Sequence, residues 1–353
     1  MRVVSLLPSA TEIVCALGAA GELVGVSHEC DHPPEVAGLP ALTASRLPGG
    51  GVSGDIDRSV RELLRAALAI YDLDVDRLAA LAPDVVVTQD LCEVCAVSYG
   101  AVCAATERLT GRDVEVVSLH PRRLGDIWDD IRRVAAALGR RAAGEALVGG
   151  LLGRLGRFER ETAGGGRPTV VSIEWLDPVM LGGTWMPELI AVAGGDPLGV
   201  AAGEQAPTLD LAALGALEPE VVVVKPCGYP VERTLAELEL LPKVLPWEAW
   251  PAVAAGRVYV ADGNAYFNRS GPRIVDSAEL LAACLHPGRF PAHLERYRGA
   301  ARRVDAGLGV HPVGPSVGPD AGIGLVTGAR DRGQPPRGSG RRSGERPAPA
   351  GPG

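Results

Sequence analysis

The chain has 353 residues, and 46% of them are hydrophobic, so it is long and apolar enough to bury a substantial core. The net charge of the whole chain is −8. Residues 301–353 hold eight arginines and four acidic residues, so the rest of the chain carries a net charge of about −12. An acidic body excludes nucleic acid as the main partner.

The cysteines and the N-terminus bear on where the protein works. Seven cysteines at irregular spacing do not suit a disulfide framework and favour a reducing compartment. The opening MRVVSLLPSATEIV lacks the long apolar region of a secretory signal, and no stretch reaches the roughly 18 apolar residues of a membrane span. We therefore expect a cytoplasmic protein, with an extracytoplasmic location as the alternative if the start codon is misassigned.

The first half of the chain alternates short apolar runs with helical patterns. Residues 3–7 predict a buried strand, and Ser9 or Thr11 is expected to cap a helix that runs to Leu17, with Glu12 in its first turn. Further strands are predicted at residues 23–26, 85–87 and 114–119. Strands that alternate with helices favour a mostly parallel sheet covered on both faces.

The second half repeats this plan after a long helical segment. Residues 122–162 carry apolar residues at three- and four-residue steps and predict one long helix. Breaks in it are possible, because Gly139, Gly144, Gly149, Gly150, Gly153 and Gly156 weaken the helical pattern. TVVSIEWLDP at 169–178 then resembles RVVSLLPSAT at 2–11, and LAALGALEPEVVVV at 211–224 resembles DRLAALAPDVVV at 76–87. These patterns predict an α/β fold with two Rossmann-like lobes, each with a parallel sheet, joined by one long helix. The predicted boundaries are 1–121 for the N-terminal lobe, 122–163 for the connecting helix, 164–304 for the C-terminal lobe and 305–353 for a disordered tail rich in Gly, Pro and Arg.

Four segments carry a resemblance to a known family. They are RVVSLLPSATEIVCALG at 2–18, LVGVSHECDHPPEV at 23–36, LAALAPDVVVTQDLC at 78–92 and NAYFNRSGPRIVD at 264–276. In this order they resemble the substrate-binding proteins of vitamin B12 and iron-chelate ABC importers, and they are most similar to the cobalamin-binding branch. The resemblance covers about residues 2–300. It implies two α/β lobes whose shared cleft binds a corrinoid or a similar chelate without catalysis.

The resemblance also implies where ligand and permease would bind. The family's ligand-lining positions lie on loops after strands, which in this sequence are Glu29 and its neighbours in 27–32, Gln89, Glu174, Trp175, Ala265, Tyr266 and Phe267. Family members dock onto a permease through one exposed carboxylate per lobe, seven residues before the proline of an L-x-P-D pattern. Asp76 stands at that position before Pro83. In the second half Ala212 stands there, with Asp210 two residues away.

Two loops of the first half carry metal-binding residue types. SHECDH at 27–32 and TQDLCEVC at 88–95 each follow a predicted strand of one parallel sheet, and loops at the carboxyl ends of such strands line ligand sites. We expect contact with the ligand from His28, Cys30, Asp90 and Cys92 in these loops. A zinc site is also open, with the candidate ligands His28, Cys30, Cys92 and Cys95, and His32 close by. A redox pair formed by the two C-x-x-C cysteines stays open as well, and so does their interpretation as ordinary small buried residues.

His28 has two interpretations of its own. A neutral imidazole is a common metal ligand and would suit the cobalt of a corrin. The alternative is a polar loop residue that a hydrogen bond holds in place.

Aromatic residues of the second half suit the broad apolar face of a corrin ring. We expect Trp175, Trp185, Tyr266 and Phe267 at the cleft, because aromatic side chains bury such area with little loss of entropy. The alternative is that they cover the core of their own lobe, as we expect of Trp247 and Trp250. Asn268 is a candidate hydrogen-bonding partner for the amides around a corrinoid.

The sequence therefore favours a monomeric binding protein and not an enzyme, since neither a nucleotide-binding glycine motif nor a nucleophile–base–acid set is recognisable. Its expected ligand is a corrinoid, its further partner an ABC permease, and it needs no catalytic cofactor. An iron chelate or haem in the same cleft is one alternative. A second alternative is a cytoplasmic zinc or thiol enzyme on the same scaffold.

Overall fold

The structure is a computed structural model, which describes residues 1–47, 51–65, 70–89, 100, 102–104 and 113–314. The chain divides into a unit of residues Met1–Pro315 and a unit of residues Ser316–Gly353. The second unit lies outside the described residues, as do Asp90, Cys92 and Cys95.

The described part of the first unit alternates strands and helices. The strands are β1 (Val3–Ser5), β2 (Leu23–Val26), β3 (Thr43–Ser45), β4 (Tyr71–Leu73), β5 (Val85–Gln89), β6 (Glu115–Leu119), β7 (Thr169–Leu176), β8 (Val179–Leu181), β9 (Asp196–Pro197), β10 (Val221–Val224), β11 (Val258–Ala261), β12 (Ala301–Val304) and β13 (Val310–Pro312). The α-helices are α1 (Pro8–Ala16), α2 (Ser53–Arg65), α3 (Val75–Leu81), α4 (Leu124–Ala137), α5 (Arg141–Thr162), α6 (Met186–Val192), α7 (Leu211–Gly215), α8 (Val231–Leu235), α9 (Leu241–Val244), α10 (Pro251–Ala254), α11 (Ile274–Leu285) and α12 (Pro291–Arg296).

The N-terminal lobe is built on a parallel sheet with the strand order β2-β1-β5-β6. In β5 the side chains alternate between two cores: Val85 and Val87 pack in a cluster shared with the connecting helices, and Val86 packs on the opposite face. The sequence of a strand that is buried on both faces is typically a continuous run of apolar, β-branched residues, and Val85, Val86 and Val87 form such a run. The two short strands β3 and β4 form a separate antiparallel pair.

The C-terminal lobe repeats this arrangement with additions. Strands β7, β10 and β11 run parallel in the same relative order as β1, β5 and β6. Strands β8, β12 and β13 join antiparallel at the edges, so this sheet is mixed around a parallel centre. Strand β13 contains residues 310–312, so the first part of the predicted tail belongs to the sheet.

The connection between the lobes is helical as predicted, with one of the possible breaks present. The helical pattern breaks between α4 and α5 at Gly139, which has a φ of +66°, a conformation that glycine adopts without strain. Helices α4 and α5 then pack on each other so closely that a Cβ on Gly144 would lie 2.5 Å from that of Ala135. Helix α5 continues to the C-terminal lobe, where it contacts α6 and α11. The first residue of α4, Leu124, also reaches that lobe, since its backbone N–H donates to Glu188 of α6 at 2.8 Å.

A buried ion cluster fixes α5 to the C-terminal lobe. The guanidinium of Arg154 donates to the carboxylates of Asp276 and Glu279 at 2.6–2.7 Å. The hydroxyl oxygen of Tyr297 lies 2.8 Å from the carboxylate of Asp276 and 2.6 Å from that of Glu279, and its one hydrogen can donate to either. Burial favours the protonated form of Glu279, but the hydrogen bonds from Arg154 outweigh it and hold the pKa of Glu279 below its ordinary value. The connecting helix therefore has a charged anchor in addition to its apolar contacts.

Helix α1 begins earlier than predicted. It starts at Pro8 behind Leu7, so neither Ser9 nor Thr11 caps it, and Glu12 lies beyond its first turn. Proline suits a first helical position because its missing N–H has no partner there anyway. None of the helices in the described ranges has both the length and the apolar composition needed to cross a bilayer.

Candidate ligand-binding site

The carboxyl ends of the two sheets face each other across a set of contacts between the lobes. The loop after β2 supplies Asp31, whose carboxylate accepts from Arg269 at 2.5 and 2.9 Å and from the side-chain amide of Asn264 at 3.1 Å. Both partners follow β11 of the other lobe. Because ligands of open α/β sheets bind beyond the carboxyl ends of the strands, this boundary is the candidate site.

A buried carboxylate sits at the centre of the same boundary. Glu12 of α1 accepts from Arg269 at 3.1 Å and from Arg273 at 2.6 and 2.9 Å. Burial alone would raise the pKa of Asp31, but its hydrogen bonds and attraction to Arg269 hold that pKa below its ordinary value. The sequence-based interpretation of Glu12 as a helix-dipole residue is corrected here, because its partners lie more than 250 residues away in the other lobe.

A second contact between the lobes involves α2. The backbone N–H of Ser53, its first residue, donates to both carboxylate oxygens of Glu237 at 3.1 Å. The guanidinium of Arg233 donates to the carbonyl of Gly51. Helix α2 is connected at both ends to strands of the N-terminal lobe, but its first residue contacts the C-terminal lobe.

The N-terminal wall of the site is formed by the loop after β2 and by β4. His28 and Glu29 are exposed, and both contact Tyr71: the rings of His28 and Tyr71 have centroids 5.6 Å apart, and the hydroxyl of Tyr71 donates to Glu29 at 2.9 Å. The sequence did not single out Tyr71. The signal for it was the run IYDL, whose aromatic and apolar residues are typical of a short strand.

The hydrogen bonds of His28 define which ring nitrogen is available. The hydroxyl of Thr43 donates to Ser27 at 3.0 Å, and its oxygen lies 2.7 Å from Nδ1 of His28. Since a hydroxyl has one hydrogen, Nδ1 of His28 must donate to Thr43 in this arrangement. Nε2 then carries a lone pair on an exposed ring, which is the form of imidazole that coordinates metals.

The C-terminal wall centres on an aromatic pair. The rings of Trp175 and Tyr229 meet edge to face with centroids 5.2 Å apart, and Nε1 of Trp175 donates to the carbonyl of Asp177 at 3.2 Å. The guanidinium of Arg233 lies 4.7 Å from the centre of the Tyr229 ring. Tyr229 was missed in the sequence, where CGYP follows β10 as a plain turn signal. Trp175 is half-buried, as a wall residue should be.

Behind this wall lies a buried lysine that the sequence patterns did not reveal. Lys225 follows β10 with no exposed side-chain surface, and its Nζ contacts Glu174 at 3.1 Å and Asn268 at 2.8 Å. A buried ammonium group is tolerated only when it is paired in this way. Glu174 and Asn268, both predicted to contact the ligand, are thus held from behind by Lys225. A lysine directly after the run of four valines was the available signal.

Three aromatic predictions come out differently from Trp175. Trp185 and Phe267 are buried, and the indole N–H of Trp185 donates to the carbonyl of Phe267 at 2.8 Å. These two are core residues, because packing of the lobe has already removed their surfaces from contact with a ligand. The ring of Tyr266 is half-buried and packs edge to face on Tyr297, close to the anchor of α5. Trp247 and Trp250 are buried as predicted.

The structure changes the interpretation of the cysteine loops only in part. Cys30 is buried, accepts from the hydroxyl of Thr11 at 3.0 Å, and has a pKa that burial raises to about 11. Cys30 is therefore a core residue in this structure, with little surface left for a ligand. No group of three or more metal-binding side chains occurs among the described residues. Gln89 is buried at the end of β5. The remaining predicted residues Asp90, Cys92 and Cys95 lie outside the described ranges.

The docking positions are equivalent in the fold. Asp74 and Asp210 are the N-caps of α3 and α7, and each accepts the backbone N–H three residues on. Asp76 and Ala212 are therefore the matching second residues of the two helices, and both are exposed. Asp210 is already engaged as a cap.

Comparisons with known proteins agree with this architecture. A family model described as periplasmic binding protein matches residues 3–265. No curated protein matches the chain.

Solved structures share the fold at low sequence identity. A periplasmic heme binding protein from Pseudomonas aeruginosa is 21% identical with a TM-score of 0.62, and the match covers 89% of this chain and 99% of that one. The heme-binding protein RhuT from Roseiflexus sp. RS-1 is 22% identical with a TM-score of 0.62, over 82% of this chain and 98% of that one. The vitamin B12 binding protein BtuF of Vibrio cholerae is 19% identical with a TM-score of 0.58, over 80% of this chain and 96% of that one.

Proposed function

Because the chain belongs to the periplasmic binding protein family, whose members deliver small molecules to ABC permeases, we propose that it binds a corrinoid between its lobes. The ring would pack against Trp175 on one side and approach His28 and Tyr71 on the other. Its peripheral amides would bond to polar groups of both walls, among them Glu29.

The charge of the two walls carries this proposal. In the described part of the chain, five cations contact a wall residue: Arg46, Lys225, Arg233, Arg269 and Arg273. Carboxylates neutralise four of them, and Arg233 is held between the carbonyl of Gly51 and the ring of Tyr229. The walls also expose carboxylates that no described cation contacts, such as that of Glu29.

These walls suit a ligand without negative charge. The fringe of a cobalamin ring consists of neutral amides, which hydrogen-bond without needing a counter-charge. Haem and many iron chelates carry carboxylates, which are costly to remove from water unless a cation receives them. A corrinoid is therefore the better match for the polar groups.

Haem or an iron chelate is the second candidate. The names of several structural neighbours favour it, and so does Nε2 of His28, which suits iron as well as cobalt. A zinc or thiol enzyme has less support, since the family consists of solute-binding proteins and Cys30 is buried.

Retention of colour tests the proposal. Purified protein is mixed with cyanocobalamin, aquocobalamin or haemin, freed of unbound ligand and examined by visible spectroscopy. We expect stoichiometric retention of cobalamin and its loss in Trp175→Ala. Retention of haemin alone would refute the corrinoid and support the second candidate.

Axial ligation by His28 is tested in the same assay. Aquocobalamin has an exchangeable axial water, so it should bind more tightly than cyanocobalamin and show a shifted spectrum. His28→Ala should remove both effects, whereas His311→Ala, a histidine on the edge strand β13, should remove neither. Equal binding of the two cobalamins by the wild type would exclude axial ligation.

We also propose that Asp76 is a docking carboxylate for a permease, because it is exposed at the start of α3. Asp76→Lys should leave cobalamin retention unchanged and abolish stimulation of the partner permease's ATPase activity. Unchanged stimulation would exclude this role. The cellular location stays a prediction from the sequence.

A further inference from the structure

Helix α2 is an insertion whose contacts cross the boundary between the lobes. It lies between β3 and β4, which pair with each other in the N-terminal lobe. Its first turn contacts the carboxyl end of β7 in the C-terminal lobe. The helix therefore leaves one lobe, touches the other and returns.

Helix α2 contacts the C-terminal lobe through polar groups, and we call the residues Glu237 and Arg233 that receive it the seat of α2. Glu237 receives the N–H of Ser53, where the partial positive charge of a helix N-terminus favours a carboxylate. Arg233 donates to the carbonyl of Gly51. A Cβ placed on Gly54 would lie 3.6 Å from the Cβ of Asp177, so the backbones approach closely here.

The same seat adjoins the aromatic pair of the proposed ligand site. Arg233 lies over the ring of Tyr229, and its guanidinium donates to the hydroxyl of Tyr229 at 3.4 Å. Burial above all, together with the negative charge of Glu237, raises the pKa of the phenol. The carbonyl of Asp177 holds the indole N–H of Trp175. A ligand packed on this pair would lie beside α2.

The apolar side of α2 belongs to none of the hydrophobic cores. Ile56, Val60 and Leu63 follow the spacing of one helix face and are half-buried, yet none joins the three apolar clusters of the described residues. The buried hydroxyl of Ser53 has no hydrogen-bond partner among those residues. Such a hydroxyl regains water when the helix leaves its seat, which favours opening.

We propose that α2 is a strap across the ligand site, which offers its apolar face to the bound ligand and must leave Glu237 and Arg233 before a large ligand can pass. This inference rests on the proposed function, since it places the ligand between the lobes. It adds Ile56, Val60 and Leu63 to the residues that select the ligand.

A disulfide between α2 and the C-terminal lobe tests the strap. The double variant Gly54→Cys/Asp177→Cys places two Cβ atoms at a separation that suits a disulfide. We expect oxidation to slow both association and dissociation of cyanocobalamin at least tenfold, with both rates restored by reductant. The single variants Gly54→Cys and Asp177→Cys serve as controls and should respond to neither treatment. Rates that do not change on oxidation, or faster dissociation, would overturn the proposal.

A second experiment needs no ligand and separates the two proposals. Glu237→Gln removes the charge that holds Ser53 and should speed hydrogen exchange of the amides of α2 about tenfold, whereas Glu239→Gln, a nearby residue of the same lobe, should not. Unchanged exchange in Glu237→Gln would overturn the seat. If the wild type retains haemin and no cobalamin, the corrinoid fails, and the disulfide is tested with haemin. If it retains neither, the proposed function and the strap fail together.

Discussion

The ion cluster between the lobes should contribute strongly to stability, and Glu12→Gln tests this. The change keeps the shape of the side chain but leaves Arg273 without its carboxylate and Arg269 with Asp31 alone. Breaking a buried ion pair by neutralising one partner costs about 3–5 kcal/mol. Because Arg269 keeps one carboxylate and Arg273 is partly exposed, we expect the lower end, about 3 kcal/mol.

Thermal unfolding followed by far-UV circular dichroism measures this loss. At roughly 2–4 °C per kcal/mol for chains of this order of size, the midpoint should fall by about 6–12 °C. Since Glu12 and its arginines lie in different lobes, the transition should also broaden as the lobes unfold less cooperatively. The exposed pair of Arg298 and Glu295 provides the control, and Glu295→Gln should leave the midpoint unchanged. A midpoint for Glu12→Gln within about 1 °C of the wild type would refute the reasoning, since it is several times smaller than the expected fall.

Three further outcomes are expected. The pKa of Glu279 is lower in the folded chain than in the unfolded one. Its contribution to stability is therefore full at neutral pH, decreases below about pH 5 and is lost below the folded pKa. Urea titrations should show this decrease in stability, and a smaller decrease in Glu279→Gln. Arg154→Met removes the guanidinium from the partly buried cluster, while Tyr297 stays beside both carboxylates and Arg296 beside Asp276. It should destabilise the protein at pH 7 by about 2 kcal/mol in the same titrations, and a change below about 0.5 kcal/mol would contradict the anchor. Burial raises the pKa of the Cys30 thiol to about 11 and that of the Cys284 thiol to about 12. Neither thiol should therefore react with a thiol reagent at about pH 8 until the chain unfolds. Labelling of the native protein at either position would contradict their burial.

Local patterns in the sequence predicted the strands well. The valine runs that become β5 and β10 are bounded by turn residues and packed on both faces, so composition alone identifies them. The position of the break between α4 and α5 was less accessible, because Gly139 is one of seven glycines in that segment and only packing decides which of them ends a helix.

The site was harder to predict because its contacts join distant parts of the chain. Glu12 and Arg269 are separated by 257 positions, and no local pattern indicates that they pair. Trp185 and Phe267 have the same composition signal as Trp175, yet the fold buries the first two and leaves the third at the wall. The sequence therefore identified loops that lie at the boundary between the lobes, while the fold decides which of their side chains are exposed there.

One titration tests the charge of the binding site most directly. Calorimetry would compare cyanocobalamin with a derivative in which one peripheral amide is hydrolysed to a carboxylate, so that the two ligands differ only in that group. We expect cyanocobalamin to bind and the acid to bind at least tenfold more weakly, a difference of about 1.4 kcal/mol. The reason is that carboxylates neutralise the other cations of the described walls, and Arg233 is already engaged by the carbonyl of Gly51 and the ring of Tyr229. Equal or tighter binding of the acid would contradict a site built for an uncharged, amide-fringed ring.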